Sequence, residues 1–244
     1  GFIGSFVVDE LVRKGFKVVN FDSRPSIWSQ GDQKEIIGDI SNQEILLEAV
    51  KEARYVYHFA GVADISAAME NPRDAIEANV MGAVNAVEAC IAHNVERFLY
   101  ASTMYVYSDR GSFYRATKQA AETLIESYSE CSTLKHTFLR YGSLYGPRSQ
   151  VWNGMRGYIE QVVKQGRIKY SGSGKEKREY IHVSDAARLS VDMLDREPKD
   201  EAVIITGSQV LYSDELLRMI FEIAGVKEKI EYSNDEKQDF HYGM

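Results

Sequence analysis

Apolar and polar residues follow one another along the chain in two spacings, one typical of helices and the other of strands. Between residues 3 and 13 the apolar residues recur at helical spacing up to a stop at Gly15, and residues 17–22 form an apolar run of strand length. The same order repeats to about residue 140, with strands predicted at 35–40, 55–60, 97–101 and 136–140 and helices at 42–52, 72–93 and 111–131. This alternation predicts a parallel sheet with helices on both faces, whose ligands bind at the carboxyl ends of the strands.

The alternation becomes less regular after Pro147. Helices are predicted at 153–164, 185–195 and 214–224, and strands at 168–170, 178–183 and 203–205. We predict an α/β fold in which residues 1–147 form a Rossmann-type, doubly wound parallel sheet that lacks its first strand. Residues 148–244 are predicted to form a smaller α/β substrate-binding part, of which 178–195 return to the first domain.

Composition and charge narrow the classes of partner. The chain has 244 residues, 44% of them hydrophobic, and a net charge of −7, which argues against nonspecific nucleic-acid binding. No uninterrupted apolar run in the sequence approaches the roughly 20 residues needed to cross a bilayer. Cys90 and Cys131 are too few for a disulfide framework, and the five histidines lack metal-ligand spacing. We therefore expect a cytoplasmic protein that binds no nucleic acid, no membrane and no metal.

A candidate dinucleotide site begins at the first residue. Gly1 and Gly4 precede a predicted helix, as do the last glycines of a loop that lets a pyrophosphate approach a positive helix end. Asp22 closes the next strand 18 residues after Gly4, a spacing that suits a carboxylate on the adenosine ribose and favours NAD over NADP. Arg24 is a counter-signal, since an arginine accepts a 2′-phosphate, and Asp22 has the alternative of a simple turn residue.

The ends of the chain carry an expectation of their own. A complete dinucleotide loop needs a strand and a further glycine before Gly1. We expect the chain to begin inside its own cofactor motif and, because its polar last residues stop abruptly, to be short at the carboxyl end as well.

A second motif supplies candidate catalytic groups. Tyr114 and Lys118 are four residues apart on a predicted helix and share one face, so the ammonium is expected to lower the pKa of the phenol. Ser102 and Thr103 close the preceding strand, and the Thr103 hydroxyl can donate or accept a hydrogen bond at the same substrate oxygen. In a chain with 15 tyrosines, the Tyr-x-x-x-Lys pair alone is weak evidence for catalysis. The alternative is that both residues have only a structural role. The order of dinucleotide loop, hydroxyl-bearing strand end and Tyr-x-x-x-Lys favours a catalytic role.

These motifs together resemble the extended short-chain dehydrogenase/reductase family, in its nucleotide-sugar epimerase/dehydratase branch. The resemblance covers nearly the whole length of the chain. It rests on Gly1-Phe2-Ile3-Gly4, Asp22, Gly38-Asp39-Ile40, His58-Phe59-Ala60-Gly61, Asn79-Val80-x-Gly82, Ser102-Thr103, Tyr114-x-x-x-Lys118, Leu139-Arg140-Tyr141, Tyr145-Gly146-Pro147-Arg148 and Arg178-Glu179-Tyr180-Ile181-His182-Val183-x-Asp185.

The resemblance implies a role for each matched residue. The implied cofactor, NAD, would be bound by Gly1, Phe2, Ile3, Gly4, Asp22, Asp39, Ile40, Phe59, Ala60, Gly61, Asn79, Ser102, Tyr114, Lys118, Tyr141 and Ser143. Asn79 would support the active-site backbone, and Ser143 stands where the family usually has an asparagine. The implied catalytic residues are Thr103, Tyr114 and Lys118. The nucleotide-sugar substrate would be bound by Thr103, Tyr114 and Arg178, the last on its diphosphate, with a surface charge as the alternative for Arg178.

The two residues that directly follow Thr103 limit the types of reaction that the site is expected to catalyse. Related 4,6-dehydratases place an acidic pair there, but this chain has Met104 and Tyr105, which disfavours dehydration. The leading hypothesis is 4-epimerisation of a UDP-sugar through a transient 4-keto intermediate. An NAD(P)-dependent reductase of a nucleotide-activated keto-sugar would share every residue named, and a catalytically silent relative is the least favoured class. The helices at 72–93 and 111–131 resemble those that pair in homodimers of the family, with ordinary sheet-covering helices as the alternative.

Overall fold

The computed structural model describes residues 1–29, 31 and 33–233. Its strands are β1 (Val18–Asp22), β2 (Gln33–Ile37), β3 (Tyr55–His58), β4 (Arg97–Thr103), β5 (Lys135–Tyr141), β6 (Ser143–Tyr145), β7 (Ile168–Ser171), β8 (Lys177–His182), β9 (Glu201–Ile205), β10 (Val210–Tyr212) and β11 (Ile230–Ser233). Its α-helices are α1 (Phe2–Arg13), α2 (Gln43–Val50), α3 (Ile65–Glu70), α4 (Pro72–Ile76), α5 (Gly82–Ala92), α6 (Ser112–Glu130), α7 (Gly154–Gln165), α8 (Val183–Asp192) and α9 (Ser213–Ala224).

The main sheet has the parallel order β3-β4-β5-β9. Its central strand β4 carries Phe98, Leu99 and Tyr100, all fully buried, because helices cover both faces of the sheet. On one face Phe98 packs in a cluster with Ile125 of α6, whereas on the other Leu99 packs among residues of β5, β8 and α8. The predicted α/β fold with a parallel sheet between two helical layers is confirmed.

The strands β1 and β2 form a separate parallel pair. Within the described part of the chain no strand hydrogen-bonds to the edge of β1 or of β3 that faces the other sheet. Residues of both strands, Val18–Asp22 and Tyr55–His58, instead line one large cavity. This separation agrees with the expectation that the doubly wound sheet lacks one strand.

The carboxyl-terminal elements form a smaller α/β unit. β8 lies between β10 and β6, while β7 pairs with β11. Its core contains Val162 of α7, Ile168 of β7, and Leu217 and Phe221 of α9. α8 packs instead against α1, with Val191 in one cluster with Val7 and Leu11. The predicted domain boundaries stay a prediction, and residues 234–244 lie outside the described residues.

The helix predicted over 72–93 is interrupted. α4 and α5 are joined by a π-helical turn, Glu77–Met81, and π turns of this kind often occur at functional sites. The continuous stretch Pro72–Ala92 is long and apolar enough to cross a membrane by length and composition alone, which was not predicted from the sequence. Half of it is buried inside the protein, as in a core helix. The expected lack of membrane contact stays a prediction, as does the cytoplasmic location.

Candidate active site

A cavity of about 1390 Å³ runs along the carboxyl ends of the strands. It begins at the amino end of α1 and extends over β3, β4 and β5 to β8 and α9. It includes the gap between β1 and β3, so its volume exceeds that of a ligand site alone. The predicted site residues that line it are Gly1, Phe2, Ile3, Gly4, Asp22, Asp39, Ile40, Phe59, Ala60, Gly61, Ser102, Thr103, Tyr114, Lys118, Tyr141, Ser143 and Arg178.

The nucleotide end of the cavity is formed by α1 and β1. No atom lies within 4 Å of a Cβ built on Gly1, whereas at Gly4 the ring of Phe59 lies at 3.5 Å. The Asp22 side chain lies at the end of β1 and is 43% exposed. It accepts a hydrogen bond from the Arg24 backbone amide at 3.3 Å. Asp22 lines the cavity and Arg24 does not, so this geometry favours an unphosphorylated ribose over a 2′-phosphate.

Asn79 lies behind the cavity wall. It is fully buried in the π turn, its Oδ1 accepts from the Val62 backbone N at 2.7 Å, and its Nδ2 donates to Thr117 Oγ1 at 3.0 Å. Gly61 has a φ of +145°, and a Cβ there would lie 2.3 Å from Asn79 Oδ1. Asn79 therefore fixes the loop after β3 to α6, the supporting role that the resemblance implied. Its expected contact with the cofactor does not fit this position.

The predicted catalytic residues converge where β4 ends and α6 begins. The Thr103 and Tyr114 side chains are hydrogen-bonded to each other. Lys118 Nζ donates to the Ala101 carbonyl at 2.8 Å and lies 4.6 Å from the ring centroid of Tyr100. The spacing of Tyr114 and Lys118 on α6 brings both to the cavity, as predicted from the sequence.

Burial governs the charge states of this group. It raises the pKa of Tyr114 to about 12, although the hydrogen bond from Thr103 lowers it. It lowers the pKa of Lys118 to about 8, against the charge of Glu122, which raises it. The expected lowering of the phenol pKa by the Lys118 ammonium stays a prediction.

Arg178 lies at the other end of the cavity, on β8. Its side chain is hydrogen-bonded to that of Tyr105, and the phenols of Tyr170 and Tyr180 lie close enough to influence its pKa. Lys175 and Lys177 in the same basic run are exposed, whereas Arg178 is partly buried and lines the cavity. The geometry therefore favours a ligand-binding cation over a surface charge.

Comparison with known proteins decides the family. Residues 1–206 match the model of the NAD-dependent epimerase/dehydratase family. The chain belongs to this family. The sequence-based identification as an extended short-chain dehydrogenase/reductase is thereby confirmed.

Relatives within the epimerase/dehydratase family differ in their reactions. The chain is 25% identical over 267 residues to UDP-glucuronate 4-epimerase of Thermodesulfobacterium geofontis, an alignment that covers 98% of this chain and 83% of the relative. It is 29% identical over 221 residues to dTDP-glucose 4,6-dehydratase of Mycobacterium tuberculosis, over 80% and 66% of the two chains. The solved structure of MoeE5 in complex with UDP-glucose and NAD is 27% identical with a TM-score of 0.87, over 96% and 82%. The family is shown, but no single reaction is.

The site also contains residues that sequence reasoning did not assign. Tyr105 packs its ring edge against Tyr114 with centroids 6.2 Å apart, and its backbone N donates to Thr103 Oγ1 at 3.3 Å. Through these contacts and its hydrogen bond with Arg178, Tyr105 connects Tyr114 with Arg178. In the sequence, Tyr105 stands out only because related dehydratases have an acidic residue at that position. Glu122, one turn after Lys118, was detectable from the helical spacing.

The dinucleotide cofactor of the family fits the residues present. The Ser102 hydroxyl is buried without a hydrogen-bond partner among the described residues, and Ser102 lines the cavity. An orphaned buried hydroxyl of this kind is a ready partner for a bound polar ligand. Among the same residues there is no group of three or more His, Cys, Asp or Glu side chains that could hold a metal ion.

Proposed function

We propose that the protein is an NAD-dependent 4-epimerase of a UDP-sugar. The observation that carries the proposal is the position of the Thr103–Tyr114 hydroxyl pair and the Arg178 guanidinium in one cavity, together with the residues expected to bind a dinucleotide. A guanidinium suits the diphosphate of a nucleotide sugar, and a phenol suits proton transfer at a sugar hydroxyl. The similarity to a UDP-glucuronate 4-epimerase supports the same reaction class.

The residues of this chain would act on the sugar 4-hydroxyl. Bound NAD+ supplies a hydride acceptor that later returns the hydride. In its phenolate form, Tyr114 takes the proton of the 4-hydroxyl, and Thr103 holds the same oxygen by a hydrogen bond. Arg178 retains the diphosphate while the 4-keto sugar turns, so that its other face receives the hydride. Tyr114 then gives the proton back, and no net oxidation results.

Dehydration receives less support from the site. Elimination across neighbouring carbons requires an acid and a base close to the catalytic threonine. Met104 and Tyr105 occupy the two positions after Thr103, and the Tyr105 phenol is engaged with Arg178. This favours epimerisation, even though a dTDP-glucose 4,6-dehydratase is among the relatives.

Proton NMR of the sugar tests the proposal directly. The protein is incubated with NAD+ and, in separate samples, UDP-glucose, UDP-N-acetylglucosamine and UDP-glucuronate. The expected result is a 4-epimer of unchanged mass, with no accumulation of NADH. Loss of water from the sugar would instead establish a dehydratase. Consumption of NADH or NADPH with a keto-sugar, and no epimer, would establish the reductase alternative.

Replacing Arg178 with methionine tests the diphosphate site. We expect the affinity for UDP to fall by about 30-fold, equivalent to about 2 kcal/mol, because a charge-assisted contact with the diphosphate is lost. Isothermal titration calorimetry with UDP measures this without any turnover. Lys175→Met removes an exposed cation from the same run and serves as the matched control, with unchanged affinity expected. Equal affinities for UDP in both variants would remove Arg178 from the substrate site.

We also propose a homodimer formed through the helices that precede and follow β4. Ile76 and Met81 on the stretch from α4 to α5, and Phe113 and Leu124 on α6, are between 37% and 49% exposed. Apolar side chains in neighbouring helices can form the core of an interface with a second copy. Sedimentation velocity at micromolar concentration should give a dimer that Met81→Lys weakens. A monomer at all concentrations would contradict the proposal.

A further inference from the structure

One face of α6 carries three functional groups at regular spacing. Tyr114, Lys118 and Glu122 follow one another at intervals of four residues, so their side chains lie on the same side of the helix. Lys118 and Glu122 are each only 6% exposed. Tyr114 and Lys118 line the cavity, whereas Glu122 does not. Glu122 is therefore buried behind Tyr114 and Lys118, away from the cavity lining.

The orientation of Glu122 is fixed by Arg140 of β5. Arg140 donates from Nε to Glu122 Oε1 at 3.0 Å and from Nη2 to Oε2 at 2.6 Å, and Nη1 is hydrogen-bonded to the Tyr107 hydroxyl. A buried carboxylate is costly unless it is paired and hydrogen-bonded, and this two-pronged contact satisfies both oxygens. Arg140 thereby holds the negatively charged Glu122 carboxylate in place, one helical turn from Lys118.

The groups that face Lys118 come from several elements. Glu122 belongs to α6, Tyr100 to β4 and His58 to β3, while Arg140 of β5 reaches this group through Glu122. Tyr114 lies one turn before Lys118 on the same face of α6. Burial lowers the pKa of His58 to about 3, so the imidazole is neutral. Among the described residues that act on Lys118, Glu122 is the anion that favours the ammonium form. Burial acts in the opposite direction.

We propose that Glu122 is a positioning residue whose carboxylate keeps Lys118 in its ammonium form during catalysis. The inference rests on the proposed function, because the ammonium matters only if Tyr114 exchanges a proton with substrate. With the pKa of Lys118 already lowered to about 8, loss of the Glu122 charge leaves the lysine neutral near physiological pH. Tyr114 then has no nearby cation to stabilise the phenolate that accepts the proton of the substrate.

The sign of the effect on pH dependence follows from these charges. Lys118 must be protonated to support the phenolate, so activity is lost as the pH rises through the pKa of this lysine. Glu122→Gln removes the attraction and lowers that pKa further. The alkaline limb of the kcat profile should therefore move to lower pH by about one unit. KM for the UDP-sugar should stay within about twofold, because Glu122 does not line the cavity.

A double variant separates this charge effect from loss of structure. Glu122→Gln alone leaves Arg140 without its anion and destabilises the fold. Glu122→Gln combined with Arg140→Gln replaces the ion pair by two neutral amides and leaves no buried charge unpaired, so part of the thermal stability should recover. The alkaline limb should remain displaced, because the carboxylate that shares the α6 face with Lys118 is absent from both variants. Recovery of the wild-type pH profile together with stability would overturn the proposal.

Nitrogen NMR of the lysine side chains provides a test that needs no turnover. Titration of the Lys118 ammonium should occur at lower pH in the double variant than in the wild-type protein, both loaded with NAD+. The same titration midpoint in both proteins would overturn the inference about Glu122. Absence of epimerisation in the wild-type protein, with the NMR shift intact, would instead overturn the proposed reaction and leave the electrostatic role of Glu122 standing.

Discussion

Replacing Tyr114 with phenylalanine is expected to reduce kcat for epimerisation by about 1000-fold. The substitution removes one hydroxyl and leaves the ring, so the edge contact with Tyr105 is preserved. The lost hydroxyl is the group hydrogen-bonded to Thr103 and the proposed proton acceptor, and general acid–base catalysis typically contributes roughly 100- to 10,000-fold. Initial rates measured by coupled assay or NMR at saturating UDP-sugar give the ratio directly.

The binding of ligands should survive this substitution. Tyr114→Phe is expected to change the affinities for NAD+ and UDP by less than about threefold, because one neutral hydrogen bond contributes roughly 1 kcal/mol. The matched control is Tyr128→Phe on the same helix, whose hydroxyl donates to Glu88 at 2.7 Å and lies away from the cavity. That variant should retain full activity. Unchanged product formation in Tyr114→Phe would show that the phenol is not the proton acceptor.

Local spacing explains why the sequence placed the three proposed catalytic residues, Thr103, Tyr114 and Lys118, beside one another. Tyr114 and Lys118 lie on one helix, and Thr103 ends the preceding strand, so helix period and strand order alone bring them together. The same holds for Gly4 and Asp22, which are placed by the βα connections of a parallel sheet. Such positions need no knowledge of the tertiary packing.

The parts that the sequence did not predict depend on contacts between distant segments. Tyr105 and Arg178 are 73 positions apart in the sequence. Their side chains form a hydrogen bond because the fold brings β8 close to the end of β4. The π turn that directs Asn79 inward adds one residue to a helix whose apolar spacing looked continuous. The pKa of Tyr114 depends on how deeply its side chain is buried and on its hydrogen bond with Thr103. Periodicity carries no information about any of these.

Replacing Arg97 with methionine is expected to destabilise the folded protein strongly. Arg97 begins β4, is completely buried, and uses its whole guanidinium. Nε donates to Thr137 Oγ1 at 2.7 Å, Nη1 to the Met193 carbonyl at 2.6 Å, and Nη2 to Glu201 Oε1 at 2.7 Å. These bonds connect β4, β5 and β9 with the end of α8, at the edge of the sheet opposite the cavity.

The expected loss is about 3–5 kcal/mol in the free energy of unfolding, because the substitution leaves Glu201 Oε1 and the acceptors on Thr137, Met193 and Arg196 without this donor. Urea unfolding followed by circular dichroism measures it, with a lower midpoint expected. Arg54→Met is the matched control: its ion pair with Glu96 is 2.8 Å long but solvent-exposed, so the midpoint should hardly move. Equal midpoints for the two variants would mean that the packing of a methionine side chain stabilises the fold as much as the hydrogen bonds of Arg97 do. A larger loss for Arg97→Met would show instead that these polar contacts hold together β4, which ends at Thr103, and its neighbours β5 and β9.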